Sequence, residues 1–373
     1  MKALVGITPC DRYDVDLLIP AIREAITLSG GTDVSGKSIL LKPNILSGHD
    51  PDKAISTHPE FMRAVIRVFR ELGAAEIYVG DSPGYQQPQA AARRAGILPV
   101  VEEEGAVWAD FHESPPAVIP GGSLVSTFLV APITQRVDLI VSLPKMKNHQ
   151  LMFYTGAMKN MFGTIPGINK AGFHMRFPDR ANFARMLVEL NQAVKPGFAV
   201  MDGVVGMEGP GPGNGWPRKI GFVLASSNPL ALDAAASTIM GYDPLSIPTI
   251  SGGIAAGTWL SSLDEVECRG IDPKSVIIED FVRISAPRKV DFLRKYLPGG
   301  LYDRVRGVLI PRPIFNRHRC VKCGECIAIC PAKALSFAEP KKSHVRVDYS
   351  ACIRCYCCHE ICPADAIAIK RRL

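Results

Sequence analysis

Residues 320–331 read CVKCGECIAICP and residues 352–363 read CIRCYCCHEICP. Each run is C-x2-C-x2-C-x3-C-P, the spacing with which three thiolates of a tight loop and a fourth from the following turn surround a [4Fe–4S] cube. In a two-cluster arrangement the fourth cysteine crosses to the other cube. The spacing therefore assigns Cys320, Cys323, Cys326 and Cys362 to one cluster, and Cys352, Cys355, Cys358 and Cys330 to the other. Pro331 and Pro363 turn the chain away after each fourth cysteine. Zinc sites also use C-x2-C pairs but have no need of a C-x3-C-P tail. Disulfides call for an export signal, and the short apolar run after Met1-Lys2 gives neither a secretory core nor a twin arginine. Cys10, Cys268 and Cys357 are left over, as suits a reducing cytoplasm, and oxygen-sensitive clusters point to an anaerobic or microaerobic host.

The double motif resembles the bacterial two-[4Fe–4S] ferredoxin module over residues 319–373. Upstream, a basic linker at 283–318 separates it from an α/β domain at 1–282. From Arg283 to Arg319 the chain carries ten Lys or Arg against two Asp, which holds more than the whole net charge of +7. Two readings of this segment stand side by side. In one, a linker buries Phe292, Leu293, Leu297, Val305, Leu309 and Ile310 and solvates its charges. In the other, Arg288, Lys289, Arg294 and Lys295 form a docking patch for an acidic redox partner or a membrane surface. Nucleic acid is not expected, because no recognition module accompanies the charge. No transmembrane segment is expected either, since no apolar run approaches about 18 residues.

Residues 1–280 alternate short apolar runs with helical patterns, the signature of an α/β fold with a mostly parallel sheet and flanking helices. Strands are expected at Lys2–Thr8, Ser38–Leu41, Glu76–Val79, Asp138–Leu143, Phe198–Met201 and Ile220–Ala225. Helices are expected at Val15–Leu28, at Pro59–Leu72 and from Pro229 to Met240. Strand after strand ends in a polar or Gly/Pro-rich corner: Lys42 and Asn44, Asp81 and Ser82, Lys145, Asp202, then Ser227 and Asn228. In a parallel sheet such corners gather at one edge, where ligands bind. Turns favour Asn, Asp and Ser in any case, but lysine is not a turn residue, so Lys42 and Lys145 argue for a small anionic ligand or a second cofactor there. The string GTDVSGKS at 31–38 matches a phosphate-binding loop, but a helix precedes it and a strand follows, the reverse of what phosphate cradling requires. The glycine-rich stretch 203–215 lacks a dinucleotide pattern and reads as a mobile or ligand-covering loop.

The densest polar chemistry lies in PKMKNHQLMFYTGAMKNMFGTIPGINKAGFH, residues 144–174. A short helix with Thr155 as its N-cap is expected to run to Phe162. Lys159 among Met158, Met161 and Phe162 is a candidate nucleophile or base with a lowered pKa, and His149 and His174 are candidate proton carriers.

Together LLKPN, THPE, GDSPG, the 143–163 stretch, MDGVVGMEGPGPGNG and SSNPLALDAAASTIMGYDP resemble the domain of unknown function 362 family, a name that implies no activity. His149, Lys159, Pro166-Gly167 and His174 also resemble, in order and gaps, the lactate racemase family, with Met158-Lys159 where that family has Arg-Lys. That likeness implies a catalytic role for His149, tethering of a nickel-pincer nucleotide by Lys159 and nickel binding by His174. Three functions follow from the whole. The first is an iron–sulfur oxidoreductase that passes electrons to a substrate or cofactor at the strand ends. The second is a non-catalytic electron carrier or assembly protein. The third is a nickel-pincer-type isomerase.

Overall fold

The structure is a computed structural model that describes residues 2–84, 86–113, 115–167, 169–284, 296–298, 301, 309–338 and 344–371. Most of the basic linker, with Arg288, Lys289, Phe292, Leu293, Arg294, Lys295 and Val305, lies outside the described residues.

The strands are β1 (Ala3–Pro9), β2 (Ser38–Pro43), β3 (Glu76–Val79), β4 (Val107–Trp108), β5 (Ala117–Pro120), β6 (Thr127–Val130), β7 (Leu139–Leu143), β8 (Lys145–His149), β9 (Phe153–Thr155), β10 (Phe198–Glu208), β11 (Trp216–Ser226) and β12 (Val266–Gly270). The helices are α1 (Val15–Leu28), α2 (Pro59–Glu71), α3 (Pro88–Arg94), α4 (Ile97–Glu103), α5 (Ala157–Asn160), α6 (Asn169–Arg176), α7 (Arg180–Val194), α8 (Pro229–Ile239) and α9 (Pro248–Ala256). The main sheet runs β12-β1-β11-β10-β7-β2-β3-β4, with β8 and β9 attached beside β10. Along that path every pairing is parallel except those of β11, which is antiparallel to both β1 and β10. The parallel strands are buried on both faces and so read as unbroken apolar runs. One face is covered by α1, α2 and α4 through Leu18, Ile22, Phe61, Val65, Phe69 and Ile97, all fully buried. A second cluster around Met158, Leu224, Leu230 and Ile239 fixes α5 and α8.

Three local expectations need correction. First, β10 does not stop at Met201 but continues to Glu208 as one arm of a long hairpin with β11. Asp202 does not break the strand, because its charge is matched by Lys145 at 2.8 Å. Only residues 209–215 are turn, and this turn packs on the cysteine-rich module. Second, Thr155 belongs to β9 and does not cap a helix. Helix α5 starts at Ala157 after Gly156 at the N-cap position, and the Asp233 carboxylate accepts from the Ala157 and Met158 amides at 2.6 and 3.0 Å in place of a local cap. Third, Asn228 follows the antiparallel β11, so its corner faces the sheet edge opposite to Lys42, Asp81, Lys145 and Asp202. There it caps α8 and donates to the Trp259 carbonyl at 2.9 Å.

The C-terminal region is a small α+β unit of ferredoxin-like form. Strand β13 (Arg312–Phe315) pairs antiparallel with β16 (Ile367–Lys370), and β14 (Leu335–Phe337) pairs with β15 (Val345–Val347). Its two halves repeat with a period of 32 residues. Positive φ recurs at Lys322 and Arg354 (both 59°), at Gly324 and Tyr356 (83° and 66°), and at Lys333 and Asp365 (49° and 50°). The unit's core holds Leu335, Val345 and Ile367 together with Cys326 and Cys358. It seats on the large lobe through the helix Cys357–Glu360. Asn214 donates to the His359 carbonyl at 2.8 Å, and His359 Nε2 lies 2.8 Å from the Pro210 carbonyl.

Candidate functional site

Two cavities inside the C-terminal unit are lined by cysteines. Cys320, Cys323, Cys326 and Cys362 meet at one. Cys330, Cys352, Cys355 and Cys358 meet at the other, with Cys357 beside them.

A third cavity, of about 110 Å³, opens where the two lobes meet. The large lobe supplies Asn44 after β2, Asp81 and Ser82 after β3, Lys159 and Asn160 from α5, and Lys170 and His174 from α6. The C-terminal unit closes it with Ile329, Cys357 and Glu360. Cys357 thus lines both this cavity and the one formed by Cys330, Cys352, Cys355 and Cys358.

Most of the wall is held by paired groups. Lys42 is fully buried and pairs with Asp81 at 2.7 Å. Asp81 also accepts from the Ile45 and Ser82 amides at 2.6 and 2.8 Å. Asn160 accepts from Lys42 at 3.2 Å and donates to the Lys42 carbonyl and to Ser142, both at 3.0 Å. Gly163 is required here, because a Cβ at that position would collide with the Asp81 carboxylate and the Lys42 ammonium. Lys170 donates to the Ser82 and Ile165 carbonyls at 2.7 and 2.8 Å, and Ser82 Oγ lies 3.1 Å from His112 Nε2.

Other groups are left unfinished. The Lys159 ammonium, 5.9 Å from the Phe162 ring centre, has no hydrogen bond or ion pair among the described residues. His149 Nδ1 accepts from the Leu151 and Met152 amides at 3.1 and 3.3 Å, which leaves the proton on Nε2. That nitrogen lies 3.2 Å from Glu360 Oε1, but neither atom is aligned for a hydrogen bond. His174 Nδ1 and Asn44 Oδ1 are likewise buried without a partner among the described residues. Four such atoms around one cavity are unusual, since buried polar atoms are normally satisfied.

Burial dominates the electrostatics. It lowers Lys170 and Lys147 to about 7, against weaker raising by Asp81 on the first and Glu360 on the second. Lys159 is lowered mainly by burial, while Glu360 works to restore it. His174 falls to about 3 through burial and the Lys159 charge, and His149 lies well below its ordinary value, so both rings are neutral. Burial raises Glu360. In this region Lys42, Lys145, Lys147, Lys159 and Lys170 face Asp81, Asp202 and Glu360, an excess of positive charge when the lysines are protonated.

The structure therefore brings Asn44, Asp81, Ser82, Lys159 and His174 to one wall, with Lys42 and His149 directly behind. Lys145 and Asp202 lie on the same sheet edge but form a closed network outside that wall. Lys145 donates to Tyr13 Oη at 2.6 Å, and Tyr13 donates to Asp202 Oδ1 at 2.8 Å. Asn228 is not part of the site. The sequence reading did not single out Glu360, Asp233, Tyr13 or His58.

Comparison with known proteins agrees with this division. Residues 39–238 match the model described as Domain of unknown function (DUF362), more than half of the chain. The chain belongs to the DUF362 family. Residues 319–366 of this DUF362 protein match a 4Fe-4S dicluster domain, which gives it iron–sulfur electron-transfer capacity. A thylakoid-associated protein of Synechocystis sp. is 32% identical over 255 residues, covering 67% of this chain and 78% of the relative. Among solved structures, the lactate racemase apoprotein from Thermoanaerobacterium thermosaccharolyticum matches at 12% identity and a TM-score of 0.42, over 64% of this chain and 57% of that one. A Thermotoga maritima protein matches at 12% identity and 0.36, over 59% and 57%. The DUF362 chain thus spans little more than half of either solved chain, and at these scores neither likeness supports an inference. No helix among the described residues of the DUF362 protein is long and apolar enough to cross a membrane.

Proposed function

We propose that the protein is an iron–sulfur oxidoreductase acting on a small anionic substrate or cofactor held between its two lobes. The observation that carries this reading is the convergence of three buried polar atoms without a hydrogen bond among the described residues, Asn44 Oδ1, His174 Nδ1 and Glu360 Oε1, with the Lys159 ammonium on one cavity, walled in part by the cysteine-rich unit.

The donor sets fit the groups they imply. Each small cavity gathers four thiols and an apolar lining, as a [4Fe–4S] group requires. Cys320, Cys323, Cys326 and Cys362 would hold one cluster, and Cys330, Cys352, Cys355 and Cys358 the other. Such groups supply one-electron transfer. The cavity residues have separate tasks. Lys159 binds the anion, and the Lys170 charge, its three hydrogens held by Ser82 and Ile165, attracts the anion from behind. Lys42 with Asp81 fixes the wall, and Asn44 offers a side-chain amide. The neutral His149 ring can donate a hydrogen bond from Nε2 and the neutral His174 ring can make one at Nδ1, while Ile329 and Phe162 limit water. So many free thiols suit a cytoplasmic setting.

The pH dependence of binding tests this. Lys170 loses its proton near pH 7 in the free cavity, and an anion beside it raises that value. Binding above pH 7 must therefore take up a proton, and affinity should fall roughly tenfold per pH unit there. Calorimetric titration of inorganic phosphate, acetate and oxalate in buffers of different ionisation heat reads both effects. Saturable binding with proton uptake is expected for at least one probe. Failure of all three to bind, or binding that ignores pH between 6 and 9, contradicts the reading.

A further inference from the structure

The two cysteine cavities are not equivalent in their surroundings. The one lined by Cys357 is turned inward: Cys357 is 5% exposed, and Tyr356, 3% exposed, packs into the apolar cluster of the large lobe. The other opens outward. Cys323 is exposed, and its neighbour Val321 is 64% exposed. Lys322 lines this cavity, and Arg317, Arg319 and Arg346 lie within two residues of its lining residues Phe315, Cys320 and Val345; all four are exposed and form no ion pair among the described residues. Among the described residues the Arg319 guanidinium donates to the Asp365 carbonyl, and the charges of Arg317 and Arg346 both reach His344. Glu325, Asp348 and Asp365 are the described carboxylates nearest in sequence, so the four cations outnumber them, and eight further Lys or Arg precede Arg317 from Arg283 on.

We infer that Cys320, Cys323, Cys326 and Cys362 hold the outer cluster, and that the basic rim around Val321 docks an acidic one-electron carrier protein. An exposed apolar residue ringed by unpaired cations is what such a partner needs. The charges steer and orient the encounter, and the apolar centre excludes water at contact. One electron leaves the reduced carrier and is taken up at the outer cluster; no bond forms or breaks and no proton moves. The inner cluster, sharing Cys357 with the anion cavity, then lies on the substrate side. This rests on the cluster assignment of the proposed function and not on the anion cavity.

The test uses full-length protein purified without oxygen. Reduced flavodoxin serves as the acidic carrier and the methyl viologen radical as a cationic one. The variant carries Arg317→Glu, Arg319→Glu and Lys322→Glu. Reduction by flavodoxin should slow at least tenfold at low salt and lose its salt dependence, while reduction by viologen should hold or accelerate. Binding of oxidised flavodoxin, read by calorimetry without electron flow, should weaken in step. Lys322→Gln alone, a neutral change at an exposed position, should give a partial slowing with flavodoxin only and guards against a misfolded triple variant. Unchanged flavodoxin rates and binding in both variants overturn the inference. Phosphate, acetate and oxalate binding stays as in the wild type in either case, so failure here is distinct from failure of the anion site.

Discussion

Replacing Asp233 with alanine is expected to destabilise the large lobe by about 3–5 kcal/mol, because it strips the acceptor from three buried donors at once. The Ala157 and Met158 amides lie 2.6 and 3.0 Å from this carboxylate and the Tyr154 hydroxyl 3.2 Å, all inside a fully buried region. Gly156 leaves room for the carboxylate, since any Cβ there would strike Asp233 and Tyr154. Burial raises Asp233 to about 7. Between its unfolded range near 4 and pH 7 the folded state thus binds the proton that the unfolded state has lost, and the contribution of this group falls as pH rises. The loss of stability on Asp233→Ala should accordingly be larger at pH 5 than at pH 8. Thermal melts at the two pH values check both size and sign. An unchanged melting temperature would mean that α5, and Lys159 with it, is positioned by something else.

The second large effect concerns Lys159 itself. A charge-assisted contact to a buried anion is worth about 1.5–3 kcal/mol, so Lys159→Met should weaken phosphate or carboxylate binding by about tenfold to a hundredfold. Methionine keeps the apolar length of the side chain and removes a charge whose burial is unfavourable, so the melting temperature should hold or rise. The cluster absorbance should not change, since Lys159 touches no cysteine proposed as a ligand. Calorimetry and visible spectra on the same sample separate these outcomes. Full-affinity binding by the variant would remove Lys159 from the site.

The fold was legible where local pattern and burial agree. Val15–Leu28 and Glu76–Val79 have the bounds that their apolar periods indicate. Legibility failed where a distant partner changes the meaning of a residue. Asp202 reads as a strand end until Lys145 neutralises it, and Asn228 reads as one more ligand corner until β11 is known to run backwards. The α5 cap is hidden because Asp233 lies 76 residues from the amide it serves. Likewise Lys170 reaches Ser82 across 88 residues of chain. Glu360 carried a signal that could have been used. Overlaying the two cysteine runs sets His359-Glu360 against Ile327-Ala328, so two polar residues occupy places that the first run leaves apolar. Those are the residues that face the large lobe.

The central claim is that the inner cluster and the lysine-walled cavity form one electrostatic unit. An anion bound in that cavity should make electron uptake by the nearer cluster less favourable, by on the order of tens of millivolts at an effective protein dielectric. Redox titration followed by electron paramagnetic resonance, with and without a saturating anion, measures this directly. The account predicts a negative shift for one of the two cluster signals in the wild type and a smaller one in Lys159→Met at the same, only just saturating anion concentration. Two signals that ignore the bound anion would contradict it.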